Sequence, residues 1–450
     1  MRAPEVPLRT KLLYGCGEIT VSAKNTSLNQ FLLFFYADVV HLSPLLVGAA
    51  IFIGKLWDAV TDPVMGYLSD ATRSRWGRRR PYVAASAIPL GIFFYLLFSP
   101  PVAGTTATFL YLLTVYILLF SFFTVYATPY IAWGAELAQG YHERTTVVQI
   151  RSLFGVLGGV IGATAPIAIA ESFSDQRQGF GVMAALLAAL MTASGLLTGW
   201  GVAEHPHAAT AAPSVARFLV GLRQTFANRD FRVVFLTFCL MTVATSTGQA
   251  IQLIVVKYWL QMYDFFPVIA LTFALSFAAS FPFWLRLSQR IGKRRAMLTG
   301  LGFGCVAPFG WLIVQPGQRM AMLVFMVAAG ILTGSMTIVI SSAADVVDFD
   351  ELQTGERREG AYFGIWTLGL KTMSAFGILL SGAALQLIGY VPDRPQDPTT
   401  MWWLVILVGP TQAFVYLIGF LIFRRFRFEA EDVARVQAEL AARRAAPQSD

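Results

Sequence analysis

The sequence predicts an all-α membrane protein of twelve transmembrane helices, arranged as two pseudo-symmetric six-helix bundles. Three observations carry that prediction. The 450-residue chain is 56% hydrophobic and 13% charged, whereas roughly a quarter of an average soluble domain is charged. Its apolar runs repeatedly reach about 20 residues, enough for a helix to cross the hydrocarbon core. A basic motif also recurs: "RWGRRRPYV" follows the second run and "RIGKRRAML" the eighth, with Gly77 matching Gly292.

In order, spans are expected at about 12–38, 44–68, 82–100, 107–134, 149–170, 180–202, 231–258, 264–288, 295–314, 319–347, 361–388 and 400–425. Residues 1–202 then form the N-terminal bundle and 231–428 the C-terminal one. Between them 203–230, "AEHPHAATAAPSVARFLVGLRQTFANRD", is richer in Ala, Pro and His and reads as a cytoplasmic linker. The cytoplasmic tail 429–450 reads as a short solvated helix that frays. Two parallel six-helix halves are the plan of the major facilitator superfamily, with substrate and ion sites near the bilayer midplane.

Loop charge sets the orientation. One set of connections carries Arg73, Arg75, Arg78, Arg79 and Arg80, then Arg144, then Arg217, Arg223 and Arg229. It continues with Arg286, Arg290, Lys293, Arg294 and Arg295, then Arg357 and Arg358. The opposite set carries only Arg177, Arg319 and Arg394. The positive-inside bias places both termini in the cytoplasm of a cell (inner) membrane protein. The net charge of +8 thus belongs to membrane topology and not to a nucleic-acid face. Cys16, Cys239 and Cys305 fall inside apolar runs, so no disulfide framework is implied. The start, "MRAPEVPLRTKLLYGCGEIT", lacks a short apolar core followed by a small-residue cleavage site, so no cleaved signal peptide is expected. The histidines have no metal-ligand spacing, and no P-loop, nucleophile elbow or H-E-x-x-H occurs. A transporter, not an enzyme, is expected. It is read as a monomer in the lipid bilayer, acting on a small molecule, with no cofactor beyond a coupling ion.

The second span carries the central chemistry. Asp58 and Asp62, in "WDAVTDPVMG", lie four residues apart and so on one helix face. An aspartate at the bilayer centre costs at least about 2.5–3.5 kcal/mol, so it should meet a partner or a wet cavity. Two carboxylates on one face repel unless a cation or proton lies between them. Sodium or a proton, with Thr61 adding a hydroxyl, is one reading; acids satisfied by an intramembrane lysine or arginine is the other.

Lys24, amid Asn25, Asn29 and Gln30 in the first span, is too central to snorkel and should face the cavity. It could recognise a carboxylate, sulfonate or phosphate on the substrate together with Arg151 and Lys371, or it could pair with Asp58 or Asp62. A tethered ammonium in the cation site would leave a proton-coupled or uncoupled carrier. Pro129 and Gly134 break the fourth span among Tyr126, Tyr130 and Trp133. There Tyr130, with Trp366 in the eleventh span, is a candidate to stack on substrate, while packing is the ordinary role of any single aromatic. Asp70 is expected to pair with the arginines beside it, Arg78 among them, as a gating or structural clasp. Asp345, Asp348, Asp350 and Glu351 run into Arg357 and Arg358 as candidate inner-gate salt bridges, against an ordinary solvated loop. Lys257 is expected to turn outward as an interfacial anchor, with a gating role as the weaker alternative. "GVLGGVIGA", with Gly155, Gly158, Gly159 and Gly162, has the spacing of close helix packing.

Nearly the whole chain resembles the glycoside–pentoside–hexuronide:cation symporters, the melibiose permease family. The likeness is carried by "WDAVTDPVMGYLSDATRSRWGRRRPY", "FLLFFYADV", "EHP", "ADVVDFDE" and "EGAYFGIWTLGLKTMSAFGILLSGAALQLIGY". It implies that Asp58, Asp62, Thr61 and Thr124 hold the coupling cation, that Lys371 links cation and sugar sites, and that Arg151 lies near the sugar. The two aspartates that hold galactosyl hydroxyls in the melibiose permease fall at Ser22 and Ala127. Their absence argues against an α-galactoside held in the same way. The resemblance also covers animal lysophospholipid carriers. The expected function is cation-coupled import of a sugar or glycoside, of anionic or neutral type, by alternating access. A lysophospholipid or other amphiphile is the alternative cargo, and a non-transporting sensor the alternative class.

Overall fold

The computed structural model of the chain describes residues 6–138, 141–204, 224–356 and 358–445. Arg357, Arg217, Arg223 and most of the expected linker lie outside them. The described chain is helical, with α1 at Leu8–Phe34, α2 at Pro44–Ala71, α3 at Arg80–Leu97, α4 at Thr105–Leu137, α5 at Tyr141–Ala170 and α6 at Gln176–Gly201. There follow α7 at Arg229–Tyr258, α8 at Tyr263–Ile291, α9 at Lys293–Ile313, α10 at Arg319–Thr354, α11 at Glu359–Leu387 and α12 at Pro398–Phe423. A last helix, α13, covers Ala430–Ala445. Eleven of these, α2 to α12, are long and apolar enough to cross a membrane. With 27 residues, α1 reaches about 40 Å; its Glu18, Lys24, Asn25, Asn29 and Gln30 lower its hydropathy.

Two compact units emerge. The first contains the described residues within Met1–Ala212, with Gln249–Ala274 and Ile378–Leu404; the second contains those within Pro213–Gly248, Leu275–Gly377 and Val405–Asp450. Helices α7, α8, α11 and α12 thus contribute a segment to each.

In the first unit α1 packs on α5 and α6, α2 on α4, and α3 on α4 and α6. Hydroxyl bonds tie α1 to its neighbours. Thr20 donates to Met191 O at 2.9 Å, Ser27 to Gly162 O at 3.0 Å, and Thr198 donates to Leu13 O at 2.7 Å. The glycine run of α5 lets its backbone touch that of α1. A Cβ on Gly158 would lie 2.8 Å from Ile19 Cα, and one on Gly162 would lie 2.6 Å from Ala23 O. That is the small-residue packing the spacing predicts.

The recurring motif has the same backbone in both halves. Gly77 has φ +102° and Gly292 φ +83°, left-handed values that only glycine adopts cheaply. Each stands just before the third helix of its half. At Gly77 a Cβ would also run into the Glu204 carboxylate. That carboxylate, from "EHP", accepts the backbone N–H of Arg79 and of Arg80 at 2.9 Å each and so caps α3. The next residue repeats a bond as well. Arg78 pairs with Glu136 on α4, and Lys293 pairs with Asp345 on α10 at 2.7 Å, the fourth helix in each half.

The second unit is built on Phe231, Phe238, Trp284, Met297, Val339, Tyr362, Trp366 and Phe423. The C-terminal helix α13 belongs to it. The sequence reads as a fraying solvated helix here, but Val436 and Leu440 are buried one turn apart, and Phe428 stacks on Phe349 at 3.6 Å. Arg443 donates to Leu352 O at 3.0 Å. An apolar stripe at i, i+4 in a charged segment is enough to dock it.

Candidate functional site

Five residues of α2 and α4 form a polar ladder inside the first unit. Asp58 is 2% exposed and accepts the hydroxyl of Thr124 at 2.8 Å. Thr61 lies 3.2 Å from Thr124, oxygen to oxygen, and donates back to Trp57 O and Asp58 O. One turn along, Thr128 donates to Asp62 at 3.3 Å. The ladder exists because both helices place oxygen ligands four residues apart, and that spacing keeps each pair on one face. Pro129 follows directly in α4, and Pro63 directly follows Asp62 in α2. Two carboxylates and three threonine hydroxyls line the ladder, a donor set of hard oxygens suited to sodium, or to a proton shared between acids.

Lys24 is fully buried. Its Nζ stands 3.1 Å from the centroid of the Phe123 ring and 4.1 Å from that of Phe120, in cation–π contact with both. Phe123 and Phe120 are one and four residues before Thr124, so the ammonium and the Asp58 carboxylate address the same turns of α4. Lys55 donates to Asn29 at 3.1 Å, tying α2 to α1.

The remaining sequence candidates are divided between the two units. Arg151 pairs with Glu18 of α1, Nε to Oε2, at 3.5 Å. Asn25 is exposed. Tyr130 is fully buried, stacked on Tyr14 at 4.7 Å, and its hydroxyl donates to Tyr14 O at 3.0 Å. Trp366 stacks on Phe238 at 4.1 Å inside the core of the second unit. Lys371 is part-buried on α11 in that same unit. Asp70 takes its partner from the neighbouring arginine, Arg79, at 3.0 Å. Arg78 is held by Glu136, which also binds Arg79 at 2.9 Å. In the second unit Asp348 is part-buried, and Arg358 binds Asp350 at 2.9 Å; Arg357 is outside the described residues.

Thr128, Glu18, Glu136 and Glu204 escaped the sequence reading. Thr128 was within reach of it, because it follows Thr124 at the spacing of Asp58 and Asp62. Lys257 differs from the expectation of an outward anchor. Its ammonium binds Asp38, whose side chain is wholly buried. The anchor reading rested on its place near the end of α7, and it could not foresee that the fold buries the Asp38 carboxylate within reach of that ammonium.

The family model described as MFS/sugar transport protein matches residues 13–430. The chain is 28% identical over 517 residues to the uncharacterized symporter sll1374 of Synechocystis sp., covering 95% of each. It is 25% identical over 460 residues to the sodium-dependent lysophosphatidylcholine symporter 1-A of Danio rerio, covering 94% of this chain and 86% of that one. Against the isoprimeverose transporter of Lactiplantibacillus pentosus it is 24% identical over 407 residues, covering 87% and 83%. The fold matches the crystal structure of a mutant of the nucleoside transporter NupG with a TM-score of 0.71 at 13% identity, over 94% of this chain and 99% of that one. With a helical membrane fold and an acid–threonine ladder already in place, the match over nearly all of its length settles the family. The chain belongs to the MFS/sugar transport proteins, among the glycoside–pentoside–hexuronide:cation symporters of the major facilitator superfamily.

Proposed function

We propose that this membrane symporter imports a sugar or glycoside by alternating access, driven by sodium or protons, with Asp58 and Asp62 as the coupling carboxylates. The observation that carries the reading is the ladder, in which Thr124 and Thr128 donate to Asp58 and Asp62. A cation entering there would neutralise two neighbouring negative charges, and Thr61 and Thr124 would turn their oxygens onto it. Because coupling is reciprocal, substrate should tighten cation binding by the factor with which the cation tightens substrate binding. Lys24 and Arg151 stand in the same unit as the ladder and are the proposed basic groups near substrate, with Asn25 beside Lys24. Lys371 is proposed as the link to the cation site. Tyr130 and Trp366 have their rings engaged in packing, so a direct substrate role for them would require movement. Both termini are proposed to face the cytoplasm of the inner membrane, and the carrier is proposed to act as a monomer without a cofactor.

The position of Lys24 supports a second reading. A permanent ammonium over Phe123, beside the donor to Asp58, supplies the positive charge that sodium would otherwise bring. In that case the carrier is proton-coupled or uncoupled. The lysophosphatidylcholine symporter among the relatives supports an amphiphile as alternative cargo.

The test is uptake into proteoliposomes. Neutral sugars, anionic sugars and lysophospholipids are supplied with an imposed sodium gradient, an imposed pH gradient, or neither. Sugar uptake that follows one gradient and loses that dependence in Asp58→Asn supports the proposal. Gradient-independent uptake by both proteins would overturn the coupling claim, and uptake of lysophospholipid alone would overturn the sugar.

A further inference from the structure

Asp38 lies in the π-helical stretch Phe35–Val39 that ends α1, where Val40 N–H reaches back five residues to Phe35 O at 3.0 Å. Such widened turns concentrate at functional sites. Its carboxylate is 1% exposed yet richly bonded. It accepts the Lys257 ammonium, the Tyr258 hydroxyl at 2.6 Å, the Tyr390 hydroxyl and the Asp393 backbone N–H at 3.2 Å. Lys257 also stands over the rings of Phe34, Tyr258 and Tyr263 at 5.1 to 5.7 Å. The donors come from two places distant in sequence, the end of α7 and the loop after α11.

Nearby, at the same end of the first unit, helices approach through glycine. A Cβ on Gly48 of α2 would lie 3.0 Å from Leu379 Cα, and one on Gly382 of α11 would strike Pro44 O. Loop charge assigns this end to the outside, since its connections carry few basic residues.

The chemistry suits a contact that must break and re-form. A buried ion pair gains little net energy over the same two groups hydrated, because desolvation offsets attraction. Both states of such a pair are therefore accessible. Removing one partner is different, because it strands the other group without compensation.

We propose that Asp38 is the catch of an outer gate, which in one half of the transport cycle holds Lys257, Tyr258 and Tyr390 against the end of α1 and releases them in the other. The inference rests on the alternating-access reading above, and it adds a residue on which the cycle depends. Asp38 acts by positioning the gate and touches neither cation nor substrate.

The experiment measures distances between spin labels at Val102→Cys and Leu387→Cys, two highly exposed positions of the first unit, after Cys16, Cys239 and Cys305 are replaced by alanine. Asp38→Asn, Tyr390→Phe and Gly382→Val are compared with the parent in detergent, each kept only if monodisperse. The parent should show a dominant short distance. Each variant should raise the ratio of a longer to the shorter population, by at least ~10-fold for Asp38→Asn, where a buried pair loses its charge. Should Asp38→Asn not fold, Tyr390→Phe and Gly382→Val decide. Distributions identical to the parent in every folded variant would overturn the catch. No substrate or ion is needed, so that result would leave the symport reading to stand or fall on Asp58→Asn uptake.

Discussion

Thr124 on α4 donates its hydroxyl to Asp58 on α2 at 2.8 Å, well inside two helices of bilayer length. If that carboxylate binds the coupling ion, Asp58→Asn should cut gradient-driven uptake by at least ~10-fold while exchange of substrate without a gradient survives, as expected when a coupling free energy is removed and the pathway kept. Loss of both activities in a folded variant would point to a structural acid.

Lys24→Met is expected to separate the two readings of the buried ammonium. If Lys24 occupies the cation site, sodium should stabilise the variant and not the parent, by about 2.7 kcal/mol at a concentration 100 times Kd. Thermal unfolding against sodium concentration reads this directly. A sodium effect already present in the parent would remove Lys24 from the cation site.

Glu204→Gln should lower the stability of the first unit by about 0.5–2 kcal/mol, the usual range for a lost helix cap, since the carboxylate serves two N–H groups of α3. Gly77→Ala should cost more, because it meets both the positive φ and the Glu204 side chain. Adding Glu204→Ala to Gly77→Ala should recover only the steric part, so the pair should be non-additive in unfolding experiments.

A pH effect is expected at Glu171, in the turn after α5. Glu171 is exposed, and its partial desolvation, and after it the negative charge of Asp264, raise its carboxyl above the usual range. The folded protein then holds this proton more tightly than the unfolded chain. That contribution is complete below the unfolded pKa and is lost as pH rises through the folded one. Melting temperatures of Glu171→Gln should therefore change less between pH 4 and pH 7, a range set about ordinary carboxylate values, than those of the parent; parallel profiles would refute the assignment.

Most of the architecture was legible because its signals are local. Spans follow from apolar length, the glycine face of α5 from spacing, and the two-fold plan from Gly77 and Gly292. Asp58 and Asp62 stood out because charge within an apolar run is costly and rare. What escaped depends on tertiary partners. Glu204 sits in a polar stretch that looked like linker, and nothing local says it reaches back across more than a hundred residues to cap α3. Tyr130 shows the converse: its place beside Pro129 suggested a break in the helix and a ligand surface, but α4 runs unbroken from Thr105 to Leu137 and the ring stacks on Tyr14. The α13 stripe was readable from Val436 and Leu440, but abundant charge and alanine concealed it.

The contact between α1 and α5 has one more consequence. At Gly158 and Gly162 main chain meets main chain, so at those turns no side chain separates the two helices to act as a cushion. They must travel as a single plank, hinged elsewhere. One edge of that plank carries Lys24 and its far tip runs into Asp38, so a tug at the tip reaches the charged middle undamped. Spreading the plank with a bulky residue at Gly162 should disconnect the two while leaving each intact.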